Sequence, residues 1–179
     1  MQGFTLREAA RRAGVSPAAP AHHFGDVTGL LSAVAREGFL EFGRMLHEAD
    51  AAAGPEPFAR LQAQGAAYVR FAFAFPARFQ LMFRCDLVDH SRGDLAEISR
   101  ASFLTLESAV RALAKLNTGD AMTPSATGAL LACWAMVHGF AHLALEKQFE
   151  GPADYLGGQS AILDTMLPDM LRYIPDSLR

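Results

Sequence analysis

Three groups of side chains in this sequence have the types and spacing to do chemistry. His138, His142 and Glu146 recur every four residues, so on a helix they share one face and have metal-ligand spacing. No cysteine or further carboxylate joins them nearby, and core or interface histidines suit the pattern better, so neither a metal nor another cofactor is expected. The second group is basic: Arg7, Arg11, Arg12, His22 and His23 stand against the single acid Glu8 in the first 25 residues. Since 16 basic and 19 acidic residues nearly cancel over the whole chain, any attraction for a polyanion must be local to that end. The third group is apolar. Phe75, Phe79, Phe83 and Phe103, with Trp134 and His138, offer large rings with few polar atoms, which either fill a core or line a cavity for a small apolar molecule. There is no Gly-X-Ser-X-Gly elbow, no Gly-rich phosphate loop and no His-Glu-X-X-His pair, so no residue is assigned as catalytic and no enzyme is expected. Asp86, Asp89, His90 and Asp94 read as a solvated polar cap ahead of a helix.

Elements rich in Ala, Leu, Phe and Met must position these groups, because runs of alternating β-branched residues are absent and the apolar stretches are broken only by short Gly/Pro punctuation. The fold class is therefore all-α. Helices are expected at about 5–13, 17–23, 27–50, 57–75, 77–85, 93–116, 124–149 and 155–174. In the third, Leu30, Leu31, Val34, Gly38, Phe42, Met45 and Leu46 form a continuous stripe suited to joining two packed units. The stretch Ala121–Leu145 has no charge and spanning length, but Thr123, Pro124, Ser125, Thr127, His138 and His142 interrupt it and no Lys/Arg cluster flanks it. A largely buried helix, and no membrane, is the expectation. Cys85 and Cys133 lie in apolar surroundings and read as two buried, reduced thiols; with no secretory signal evident, the place is the cytoplasm.

At the basic end, Thr5 and Glu8 have capping-box spacing, and Leu6, Ala9, Ala10 and Ala13 supply a small apolar face. Gly14 is placed to close that helix, with Val15 tucking inward. Ser16 and Pro17 open a second helix as its cap and first residue. Two short helices joined so tightly form a helix-turn-helix, whose second helix enters the major groove. The run from Phe4 to Leu31, FTLREAARRAGVSPAAPAHHFGDVTGLL, resembles the DNA-binding signature of TetR-type regulators, with its Ala-Gly-Val-Ser turn and His-Phe element. PARFQLMF from Pro76 to Phe83, and Trp134-Ala-Met-Val-His138-Gly139, resemble the sensor domain of a TetR branch marked by a Trp and a His-Gly pair.

The resemblance implies that Ser16, Pro17, Ala18, Ala19 and His22 lie on or near the groove, that Thr5 and His23 approach phosphates beside Arg7, and that Phe24 packs inside. It also implies a helix-turn-helix segment with connecting helix over 1–48, and a ligand-binding and dimerisation domain over 49–179. The function implied is a repressor released from operator DNA by a small, largely apolar ligand. Three departures set limits. Ala21 and Val27 replace customary phosphate contacts, and Pro20 falls within the recognition helix. Only Met1, Gln2 and Gly3 precede Phe4, where the family carries a further helix, so the DNA-binding unit reads as truncated. The alternative is thus a helical ligand-binding and dimerisation module without effective DNA binding. A homodimer is expected through the helices at 124–149 and 155–174, with Gly128, Ala129, Ala132, Gly157, Gly158 and Ala161 allowing close backbone approach.

Overall fold

The computed structural model describes residues 4–173 and is helical throughout, without strands among them. The capping signals of the N-terminal segment act as local chemistry dictates. The Thr5 hydroxyl accepts from the Glu8 amide at 3.2 Å and starts α1 (Leu6–Ala13); Gly14, at φ 68°, closes it in the left-handed conformation that glycine adopts freely. The Val15 amide reaches back to the Ala10 carbonyl at 3.1 Å, which satisfies an orphan acceptor of the last turn. Its side chain does not tuck inward and stays 48% exposed.

Helix α2 (Ala19–Phe24) begins two residues later than the sequence suggests. Ser16 makes no side-chain cap; its backbone carbonyl accepts from the Ala19 amide at 3.1 Å in a turn through Pro17 and Ala18. This later start resolves the Pro20 problem, because a proline in the first turn lacks an amide hydrogen that would have been unpaired anyway. Asp26 then caps α3 (Val27–Ala52), accepting from the Gly29 amide at 2.6 Å.

Helix α3 buries Leu31, Ala35, Gly38, Phe39, Phe42 and Leu46, a face at three- and four-residue spacing. Against it lie α4 (Pro57–Ala74), α5 (Pro76–Met82) and α6 (Leu95–Leu113), while α7 (Pro124–Leu145) packs on α4 and α6. The main core gathers Phe39, Phe42, Phe71, Phe79 and Met82 with Ile162 and Leu167 from the far end of the chain. A satellite core joins Leu61, Val110, Leu130 and Cys133. Gly38 is needed for the close approach of α3 to α5, since a Cβ there would meet Met82 Sδ at 2.6 Å.

The last part of the chain departs from expectation. Helix α7 stops at Leu145, where Lys147 takes φ 61° and the Gln148 amide bonds back to the Leu143 carbonyl at 2.9 Å, closing the turn. A short α8 (Glu150–Tyr155) comes next, and Gly157 and Gly158, at φ 105° and 93°, make a sharp turn in place of continuous helix. After it come a π-helical segment (Ile162–Met166), α9 (Leu167–Met170) and a 3-10 turn (Leu171–Tyr173). The π segment lies just ahead of Pro168, whose ring nitrogen cannot donate to a preceding turn. Ile174 lies outside the described residues.

Candidate functional site

The expected DNA-binding residues share the surface of α1, α2 and the turn between them. Thr5, Arg7, Ser16, Pro17, Ala18, His22 and His23 are exposed, Ala19 is half-buried, and Phe24 is half-buried with its ring edge-on to His23 at 4.6 Å. The Glu8 carboxylate does not complete a capping box. It takes two bonds from Arg11, at 2.8 and 2.7 Å, and one from Arg12 at 2.7 Å, and these two guanidinium groups pull its pKa to about 2. Two of the three arginines are thereby drawn onto α1, although exposed pairs of this kind are weak enough to exchange for phosphate.

Behind α2, an arginine from the loop ahead of α6 ties the DNA-binding segment to the bundle. Arg92 donates to the Phe24 carbonyl at 3.3 Å and to the Asp26 carboxylate at 2.9 Å, while its Nε lies 3.4 Å from Asp89. Backbone and Arg92 together hold Asp26 below the usual carboxylate range. Two residues on, Asp94 takes a two-pronged pair from Arg36 of α3, both bonds at 2.7 Å. Helix α6 therefore starts from an anchorage on α3, with Arg92 just ahead of it bonded to the junction of α2 and α3.

The same α6 forms one wall of a cavity of about 350 Å³. Helix α3 contributes Phe39, Phe42 and Leu46; α4 contributes Leu61, Gln64, Gly65 and Tyr68; α6 contributes Ser102, Phe103 and Leu106; α7 contributes Cys133, Trp134 and Val137. Of the rings singled out in the sequence, Phe83, Phe103 and Trp134 line this space. Phe79 and His138 stand behind the wall, with Phe79 fully buried against Tyr68, Phe83 and both histidines. Phe75 lies apart, tilted on Phe71 and under the Arg78 guanidinium. Cys133, free and buried, has its thiol pushed up to about 11 by burial, whereas Cys85, also free, is exposed and so corrects the expectation of two buried thiols.

His138 acts through Tyr68 instead of touching the cavity. Its Nδ1 lies 2.7 Å from the Tyr68 hydroxyl, which also accepts from Trp134 Nε1 at 3.4 Å. Burial, with His142 next to it, disfavours charge on His138, and burial likewise raises the Tyr68 pKa, so both stay neutral and share a single hydrogen bond whose direction is set by the His138 tautomer. The His138 and His142 rings lie tilted with their centroids 4.5 Å apart, and no group of three or more possible metal ligands occurs among the described residues. Gln64 and Tyr68 were not singled out from the sequence. The available signal was a pair of polar groups on the buried face of α4, between Leu61 and Ala72.

Helix α7 is long and apolar enough to cross a membrane, but it packs one face on α4 and α6 as a core helix does. Its other face, with Gly128, Leu131, Ala132, Ala135 and Leu143, is exposed and uncharged. Ala129 and Ala161, expected at an interface, are buried within the chain instead, and Gly157 and Gly158 are taken up in the sharp turn after α8.

Residues 61–167 match the model of the tetracyclin repressor-like C-terminal domain. No curated relative matches the chain. Among solved structures, a protein of unknown function from Rhodococcus sp. RHA1 superimposes with a TM-score of 0.72 at 30% identity, over 97% of this chain and 86% of the other. A bacterial regulatory protein of the TetR family from Rhodococcus RHA1 superimposes with a TM-score of 0.68 at 21% identity, over 96% and 86% of the two chains, a likeness of fold. With its helix-turn-helix, its helical bundle and a family match over more than half its length, the chain belongs to the TetR family of transcriptional regulators.

Proposed function

We propose that the chain is a homodimeric, cytoplasmic repressor that leaves its operator when a small, largely apolar molecule enters the cavity between α3, α4, α6 and α7. The observation that carries this reading is shared structure: α6 lines the cavity, Arg92 just ahead of it bonds the junction of α2 and α3, and Asp94 at its start is paired with Arg36 of α3. A ligand can shift a two-state equilibrium only by binding the states unequally, and an occupant that displaces α6 would bias that junction directly. In this division of labour α1 and α2 read DNA, with Ser16, Pro17, Ala18, Ala19 and His22 toward the groove and Thr5, Arg7 and His23 toward phosphate. In this reading the connecting helix also serves the sensor, because its Phe39, Phe42 and Leu46 form part of the cavity wall. No catalytic, metal or cofactor role is proposed.

The test is a titration of a palindromic fragment from the gene's own upstream region at several salt concentrations, with and without a metabolite found by thermal stabilisation. Binding that falls with salt and weakens on adding the stabilising metabolite is the expected result. Binding that ignores every stabilising compound would remove the release mechanism. The module reading draws support from Ala21 and Val27 in place of phosphate contacts and from the Glu8 pairs; absence of DNA binding at low salt would favour it.

The exposed uncharged face of α7 is the proposed dimer surface, since its small residues let two backbones approach and a self-complementary face suits a two-fold pair. Leu131, 51% exposed near its middle, is the natural site to test. Leu131→Glu is expected to convert a dimer into a monomer at micromolar concentration in sedimentation, since it sets two like charges in an apolar contact. A wild-type monomer, or a dimer indifferent to the change, would exclude this surface.

A further inference from the structure

The polar groups around the cavity differ in what they have left to give. The Tyr68 hydroxyl is taken up by His138 and Trp134, the Ser99 and Ser102 hydroxyls lie 3.1 and 3.4 Å from carbonyls of their own helix, and Arg100 lines the cavity as an exposed, solvated cation. Gln64 is different. It is 3% exposed, its Nε2 donates to Asp50 Oδ1 at 2.7 Å, and its carboxamide oxygen is buried with no partner.

The orientation of that amide is not free. Arg60 grips Asp50 with bonds of 2.9 and 2.7 Å, and holds its carboxyl below the usual range despite burial, so Asp50 is an ionised group that only accepts. Turning the Gln64 amide over would set oxygen against oxygen. The chain Arg60, Asp50, Gln64 thus fixes Oε1 as the unpaired, buried acceptor of a residue that lines the cavity, whose walls are otherwise mostly rings and aliphatic groups. A buried acceptor left unpaired costs stability, which a donor would recover.

Resting on the reading of this cavity as the ligand site, we propose that its ligand is an apolar molecule carrying a hydrogen-bond donor, an alcohol or phenol being the simplest, whose hydroxyl donates to Gln64 Oε1. The apolar remainder lies along Phe42, Phe103 and Trp134. An equally apolar ether or ketone, able only to accept, is discriminated against because it leaves that oxygen unpaired.

Trp134 is the only tryptophan in the sequence and lines the cavity, so its fluorescence reports occupancy. The probes are decan-1-ol and its isomer 1-methoxynonane, which differ in the donor. Each is titrated into the full wild-type chain and into Gln64→Met, and the alcohol-to-ether affinity ratio is compared between chains, which cancels the probes' different affinities for water. The ratio is expected to be about tenfold higher in wild type. Asp50→Asn provides a second variant, since an asparagine amide can donate to Gln64 and let its Nε2 turn over; there the ratio is expected to fall below the wild-type value. Equal ratios in wild type and Gln64→Met, or in wild type and Asp50→Asn should the first variant not fold, would overturn the donor assignment and leave the ligand cavity standing. If neither probe changes Trp134 fluorescence in wild type, the cavity reading and the donor assignment fall together.

Discussion

Phe79→Ala is expected to cost about 3–5 kcal/mol of folding stability, the largest loss from a single truncation in this chain. The ring has no exposure at all, and it lies at centroid distances of 5.8 Å from Tyr68, 5.6 Å from Phe83, 5.5 Å from His138 and 5.1 Å from His142. Removing it takes away the transfer term, several edge-on and tilted ring contacts, and the backing of Tyr68 and Phe83, which line the cavity. Collapse of the site is hindered because α5 is short and tied on both sides, by Pro76 at its start and by Met82 against Gly38. Urea unfolding at one fixed protein concentration checks this, since a dimer's stability depends on that concentration. Phe75→Ala, at a half-buried ring, is the control and should lose distinctly less. A loss below about 1 kcal/mol at Phe79 would mean that the neighbouring rings repack, contrary to a close-packed core.

The contrast between these two phenylalanines shows what the sequence could and could not convey. Both belong to one aromatic cluster in the chain, yet one ring is sealed and the other borders solvent, because α4 ends at Ala74 and the turn at Phe75 and Pro76 sets α5 in a new direction. Elements governed by neighbours in sequence were legible: the Thr5 cap, the Gly14 reversal and the stripe on α3 arise from local geometry. The lining of the cavity was only partly so, since which ring faces a void depends on how four helices are spaced. Thus Phe83, Phe103 and Trp134 could be named, but Phe79 and His138 could not be separated from them. Gln64 carried a readable signal, a long polar side chain on the apolar stripe between Leu61 and Tyr68. The Gly157-Gly158 pair carried another, because paired glycines favour a turn over a helix interior, and the turn prevailed.

Gly29→Ala is expected to weaken DNA binding at least tenfold while cavity ligands still bind and quench or enhance Trp134 fluorescence, with somewhat higher affinity, because a displaced junction favours the state the ligand selects. Gly29 is buried in the first turn of α3, where an added Cβ would overlap the Phe24 carbonyl oxygen and the Arg92 guanidinium. The arginine can swing aside, but the carbonyl is backbone at the end of α2, so relief must come from opening the angle between α2 and α3. That movement also endangers the Asp26 cap, worth about 0.5–2 kcal/mol, and both Arg92 bonds to this junction. Binding of paired grooves about 34 Å apart needs two recognition helices at a fixed spacing, so a small rotation of each α2 is multiplied into misfit across the dimer. Arg92→Ala deletes the same contacts without the clash, and is expected to fall between wild type and Gly29→Ala. Two measurements separate the steps: anisotropy of a labelled palindromic fragment over a salt series, and hydrogen exchange of the α2 amides against those of α4. Faster exchange confined to α2, with reduced DNA affinity and a Trp134 titration that persists at slightly lower ligand concentration, is the expected pattern. Equal DNA affinity for wild type and Gly29→Ala would show that this junction does not position the recognition helix, and faster exchange spreading into α4 would show that the variant loosens the whole bundle instead.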